Sequence, residues 1–229
     1  MPNWVFNYLT VEGQPDTVEQ LRVQVGKPMT VPIQAHGDLN YTVEDKHYEE
    51  PVFSFWNIHP PTDLEAYPKQ PDFSSEKPWS DNSWYNFNNR EWGTKWDVAG
   101  QATLDHDEPN GDNHVLVYQF DTAWAPPTDV IQKLSAQYPT LLISLEYKEE
   151  QGWGGEIEFL NGEAISESEY DNKCYDCKAE YLDSEIEDEC EDCYGVCPRC
   201  GFSENLCEEH DKIWAEAHKQ GAVAGVATS

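Results

Sequence analysis

The chain has 229 residues, with 44 Asp and Glu against 14 Lys and Arg, for a formal net charge of −30. Such a charge repels a phosphate backbone and an anionic lipid surface, so direct DNA binding and membrane adsorption are not expected, and a partner with a basic surface is. The opening Met1-Pro2-Asn3-Trp4 lacks a signal peptide's basic and apolar regions, and no apolar run approaches the roughly 18 residues that span a bilayer, so a cytoplasmic protein is expected.

Residues 3–12 are rich in β-formers, with Trp4, Phe6, Tyr8 and either Leu9 or Val11 alternating, and Gly13 closes a first strand. Asp16 or Thr17 then caps a helix whose Val18, Leu21 and Val25 share one side, and Gly26 stops it. Residues 36–50 are polar and acidic, and Val52, Phe53, Phe55, Trp56 and Ile58 predict a second strand ended by His59-Pro60-Pro61. A long Pro-rich connection to Pro78 follows, of a length that binds a ligand or covers an edge.

Ser80 or Asp81 can cap a short helix over 82–91, which leads into Trp92-Gly93-Thr94-Lys95-Trp96. Strands are predicted over 96–104 and 115–122, joined by an acidic turn at 105–112 with Asn-Gly and Pro signals. Pro126-Pro127 opens a helix carrying Val130, Ile131, Leu134 and Tyr138, and strands at 141–147 and 156–160 complete the sheet. This order predicts an α+β fold, with helices on one face of a mostly antiparallel sheet, over residues 1–162. Nine Trp, twelve Tyr and eight Phe supply its core.

Three Trp-containing motifs then carry a resemblance. Met1-Pro2-Asn3-Trp4 with Asn7, Leu9, Val11 and Gly13, the run from Asn88 through Trp92-Gly93-Thr94-Lys95-Trp96-Asp97, and Phe120 through Thr122-Ala123-Trp124 to Pro126-Pro127 resemble the YubB-like family of phage and plasmid proteins. Leu134-Ser135, Tyr138-Pro139, Leu141, Tyr147 and Glu149 extend the likeness over residues 1–162. The resemblance implies a ferredoxin-like domain and a mobile-element origin. It lends no catalytic residues.

Every cysteine lies between Cys174 and His210, outside that resemblance. Cys174 and Cys177, Cys190 and Cys193, and Cys197 and Cys200 are spaced C-x-x-C, and Cys207 with His210 is C-x-x-H. In a reducing compartment this pattern holds metal rather than disulfides, and eight ligands suit two tetrahedral zinc ions. Cys197-Pro198-Arg199-Cys200-Gly201 has the form of a zinc knuckle, and Ser203 can cap a helix that presents Cys207 and His210 on one side. The ligands pair either sequentially, first two pairs on one zinc and last two on the other, or cross-braced, and a single site with spare cysteines is a third arrangement. With all eight used no position stays open for water, so the ions are read as structural. The predicted organisation is a ferredoxin-like domain over 1–162, an acidic zinc-binding module of ribbon or treble-clef type over 163–220, and a flexible tail over 221–229.

Weaker constellations accompany these. Asp105, Asp107, Asn110 and Asp112 might be read as a calcium loop, but their spacing misses the EF-hand pattern, and a solvated turn is expected. His106 and His114 flank that turn as a conceivable metal pair. Trp92, Trp96 and Trp124 with Lys95 and Asn88 form either a stacking platform or, more commonly for tryptophan, core. No phosphate loop, nucleophile elbow or H-E-x-x-H occurs in the sequence. The leading expectation is a non-enzymatic phage or mobile-element protein that binds a basic host macromolecule through its acidic surface, as a nucleic-acid mimic or counter-defence factor. The rivals are an RNA- or ribosome-associated zinc protein and an accessory enzyme of nucleic-acid metabolism.

Overall fold

A computed structural model of the chain describes residues 2–34, 42–69, 76, 80–150 and 152–170. Its elements are β1 (Trp4–Gly13), α1 (Pro15–Val25), β2 (Met29–Gln34), β3 (Val43–Tyr48), α2 (Trp84–Glu91), β4 (Thr103–Asn110), β5 (Asn113–Ala123), α3 (Thr128–Gln137), β6 (Leu142–Glu149), β7 (Gly154–Leu160) and β8 (Glu163–Tyr170). Met1–Tyr147 with Gly155–Ser168 form one compact unit, and Lys148–Gly154 with Glu169–Ser229 a second. The eight candidate zinc ligands, the helix that would carry Cys207 and His210, and the 221–229 tail all lie outside the described residues.

Six strands form one sheet in the order β4-β5-β1-β6-β7-β8. β1 runs antiparallel to β5, and β5 antiparallel to β4. Taken alone, β1-α1-β4-β5-α3-β6 is a β-α-β-β-α-β unit whose last strand crosses over to the far side of β1, which is the ferredoxin-like arrangement. Everything between α1 and β4, including the two-stranded β2-β3 sheet and α2, is an insertion into that unit. At the other edge β7 and β8 turn at Asn161 and Gly162, both at positive φ, as a tight hairpin requires.

One face of the sheet is buried. Val5, Asn7, Leu9 and Val11 of β1 alternate inward with Leu116, Tyr118 and Phe120 of β5 and Ile143 and Leu145 of β6. Val18, Leu21 and Val25 of α1 and Val130, Ile131 and Leu134 of α3 complete the core. The aromatic side of β1, Trp4, Phe6 and Tyr8, is on the other, partly exposed face, the reverse of a reading that buries the largest rings. The helix predictions hold closely, with Pro15 in the first turn of α1 and the Gly26 N–H donating to the Arg22 carbonyl at its end.

Residues 52–58 are not a strand. Phe53, Phe55, Trp56 and Ile58 are buried, but the chain turns, with the Ile58 and His59 N–H groups both donating to the Phe55 carbonyl. The Phe53 ring stacks on Phe120 at 5.4 Å and lies 4.9 Å from Tyr118. This segment therefore caps the core as a plug of rings. The predicted acidic turn at 105–112 is also corrected: Thr103–Asn110 is an edge strand with a bulge between Leu104 and His106, and the turn is Gly111-Asp112 alone. Charges along an exposed edge strand block pairing with another chain, which is a physical reason for the acids there. β8 adds a strand to the sheet within a stretch assigned from sequence to the acidic module.

Candidate functional site

Residues 92–97 alternate between anchor and display. Trp92 is fully buried and its indole N–H donates to the His59 carbonyl at 2.9 Å. Gly93 turns the chain at φ 80, a conformation that favours glycine. The Thr94 hydroxyl donates to the Ala123 carbonyl, and the amide of the buried Asn88 donates to the Lys95 carbonyl at 2.8 Å. Trp96 is left 40% exposed. The Asp97 carboxylate then accepts from the Ser54 hydroxyl and from the Phe55, Trp56 and Val98 N–H groups at 2.7 to 3.1 Å. Burial pushes that carboxyl up, and the four hydrogen bonds pull it down. Asp97 thus ties the ring plug of 53–58 to the display loop.

A second loop presents Trp124. Its φ of 65 is left-handed, a conformation that a bulky side chain avoids. The loop is held there by the Trp124 N–H, which donates to the Asn3 carbonyl at 2.9 Å, and by the Thr122 hydroxyl, which donates to the Ala125 carbonyl at 2.8 Å. The buried Asn7 amide in turn donates to Thr122 Oγ1 at 3.0 Å. Backbone held this way to keep a ring 48% exposed is what a binding surface looks like, since a core tryptophan needs no such conformation.

The two loops bring three indoles into a row. Trp4 and Trp96 have ring centroids 6.2 Å apart and tilted by 41°, and Trp96 and Trp124 are 6.1 Å apart and tilted by 34°. The Lys95 ammonium sits in the second notch, 4.5 Å from the Trp96 centroid and 4.6 Å from Trp124, with Trp84 and Tyr85 each at 6.0 Å. The first notch walls a cleft of about 340 Å³ whose other lining residues are Asp97, Gln101, Asp121, Thr122 and Ala123. The Gln101 side-chain amide is engaged in both directions by the Asp121 main chain, which fixes the cleft floor.

A charged cluster braces the insertion from α2. Lys133 donates to the Glu91 carboxylate at 2.7 Å, and Arg90 donates to its other oxygen at 2.8 Å. These bonds hold the Glu91 carboxyl down to about 2, Lys133 contributing most. His59 is 3.3 Å from that carboxylate and is pushed below its ordinary value, by burial first and the Lys133 charge second.

Of the predicted platform, Lys95, Trp96 and Trp124 come together at the surface, whereas Trp92 is core and Asn88 is a buried support. Trp4, Trp84 and Tyr85 were not foreseen as members. Trp4 sits at the start of β1 and reaches Trp96 only because β1 and β5 pair Trp4 with Ala123, one residue before Trp124. The calcium and histidine-pair readings are not supported. Asp107 is engaged by Arg22 and by His114, the latter at 2.6 Å, and the Asn110 amide donates to Glu12. His106 pairs in register with Val117 while His114 pairs with Pro109, so the strands do not place them opposite one another. Among the described residues no cluster of three or more His, Cys, Asp or Glu side chains is arranged to hold a metal ion.

Residues 95–196 match the family model described as the ferredoxin-like domain in Api92-like protein. The match begins at Lys95, so it takes in Trp96, Asp97 and Trp124 but not Trp4. Among solved structures, the chain is similar to the crystal structure of protein api92 from Yersinia pseudotuberculosis, at 11% identity and a TM-score of 0.49, covering 75% of this chain and 99% of that one. No protein in the curated set matches the chain. No helix among the described residues is long and apolar enough to cross a membrane.

Proposed function

We propose that this is a non-enzymatic binding protein of phage or mobile-element origin, related to the YubB-like family, that grips a basic host protein in the cytoplasm through the Trp96-Trp124 platform. The observation that carries the reading is the exposed indole pair clasping Lys95 on a backbone held in a left-handed turn. Exposed tryptophans on a rigid support are the residue type that dominates binding energy at protein interfaces. The net charge of −30 adds long-range attraction for a basic partner and repulsion of nucleic acid. A protein that presents negative charge to a basic groove acts as a nucleic-acid mimic, which is the form counter-defence or host takeover would take here.

The cysteine-rich segment fits the same role as a rigid arm. Two structural zinc ions held by Cys174, Cys177, Cys190, Cys193, Cys197, Cys200, Cys207 and His210 would fold a stretch with few large aliphatic residues. Seven thiolates with two divalent ions leave it anionic, unlike the basic zinc fingers that grip DNA.

A second reading, an RNA- or ribosome-associated protein, draws on the same platform, because indoles stack on bases as well as on side chains. Affinity capture from host lysate at low and high salt, followed by identification of what is bound, separates the two. A basic protein retained at low salt and released at high salt supports the first reading. Nucleic acid recovered without a protein partner sinks it.

A further inference from the structure

The indole row contains two notches of nearly the same geometry, and the protein itself shows what one of them holds. Trp96 and Trp124, 6.1 Å apart, clasp the Lys95 ammonium by contact with both ring faces. Trp4 and Trp96, 6.2 Å apart, form the wall of a cleft with the carboxylate residue Asp121 at its lining. The other acid there, Asp97, already accepts four hydrogen bonds from its own loops and serves structure. A wall of indole beside a carboxylate attracts a cation twice, through the ring quadrupole and through charge.

We infer that the Trp4-Trp96 cleft is a receptor for the guanidinium of an arginine presented by the basic partner, with Asp121 as its counter-charge. The inference rests on the binding reading above and names the ligand chemistry for it. Arginine fits better than lysine because its planar group lies flat on an indole while its edge donates paired N–H groups to a carboxylate. The cleft volume of about 340 Å³ suits one side chain, since pockets for whole small ligands begin at roughly that size and extend to about 1,000 Å³. The surrounding negative charge disfavours a nucleotide, whose base could stack on the same wall but whose phosphate would be repelled.

The test uses the full-length protein and three short capped peptides, Gly-Gly-Xaa-Gly-Gly, in which Xaa is arginine, its neutral isostere citrulline, or lysine. Tryptophan emission is titrated with each. The arginine peptide is expected to give a saturable change, with citrulline at least about tenfold weaker and lysine several-fold weaker. Asp121→Asn keeps shape and main-chain bonds and is expected to weaken the arginine peptide about tenfold, as is Trp96→Leu, while Trp124→Gly, outside the cleft, leaves it within about twofold. No saturable change with arginine, equal binding of citrulline or lysine, or indifference to Asp121→Asn overturns the inference. Uridine monophosphate binding more tightly than the arginine peptide overturns it in favour of a base site. Failure here leaves lysate capture by the platform intact, whereas partner capture indifferent to loss of Trp96 and Trp124 would remove the binding reading without touching the peptide result.

Discussion

The Lys95 ammonium lies 4.6 Å from the centre of the Trp124 ring, on a loop whose backbone is held at a φ of 65. Lys95 and Trp124 come from different segments, and each is fixed by main-chain bonds to a third, Asn88 for the one and Asn3 for the other. The platform is therefore set by the fold before any partner arrives, so little ordering cost remains to be met on binding.

Replacing Lys95 with Met keeps the stem and removes the charge. The expected results are a shift in tryptophan emission and a stability loss of less than about 1 kcal/mol in urea unfolding, the size of an exposed cation–π contact. Lys95→Arg should retain the wild-type emission. An unchanged spectrum in the Met variant would mean that the ammonium does not rest on the rings in solution.

Trp124→Ala and Trp124→Gly both remove the indole, but only Gly relieves the left-handed turn. The Gly variant is expected to be more stable than the Ala variant by about 1 kcal/mol in denaturant unfolding. Equal stabilities would show that the turn relaxes once the ring is gone.

Asp97→Ala strips the acceptor from the Ser54 hydroxyl and three backbone N–H groups at once. A loss of at least about 3 kcal/mol is expected, since each stranded buried donor costs about 1 to 3 kcal/mol. The same variant should bring the 53–58 plug into faster amide exchange than the β1 and β5 core.

The charged cluster predicts acid behaviour. A carboxyl held at about 2 stabilises the folded state above the ordinary carboxylate range, and that contribution disappears as pH falls toward about 2. Glu91→Gln is expected to lower stability at pH 7 by up to about 1 kcal/mol, a partly exposed pair being weak. The gap between variant and wild type should close as pH drops through that window. A gap that persists at pH 2 would assign the effect to packing instead.

Much of the frame is legible in sequence because its signals are local. The spacing of Val18, Leu21 and Val25 and the Pro126-Pro127 start give α1 and α3, and alternation over 3–12 gives β1. The failures have non-local causes. Residues 52–58 read as a strand because Phe53 and Phe55 alternate, yet their first N–H groups are satisfied by Asp97, more than forty residues on. Trp4 joins the platform through strand pairing with Ala123, which no local pattern announces. Trp92 and Trp96 lie in one motif, and only the turn at Gly93 decides which is core and which is display.

The zinc proposal is tested by elemental analysis of the intact protein, with about two zinc ions per chain expected. His210→Ala should release one of them. One zinc or none in the wild type removes the paired-site arrangement.

The most direct measurement of the binding role is lysate capture with the intact chain beside a Trp96→Ala/Trp124→Ala double variant, after circular dichroism has shown that the variant is folded. The same basic protein should be retained by wild type at low salt, released at high salt, and lost at every salt concentration by the double variant. Retention by the folded variant equal to that of wild type would contradict the assignment of the indole platform as the binding surface.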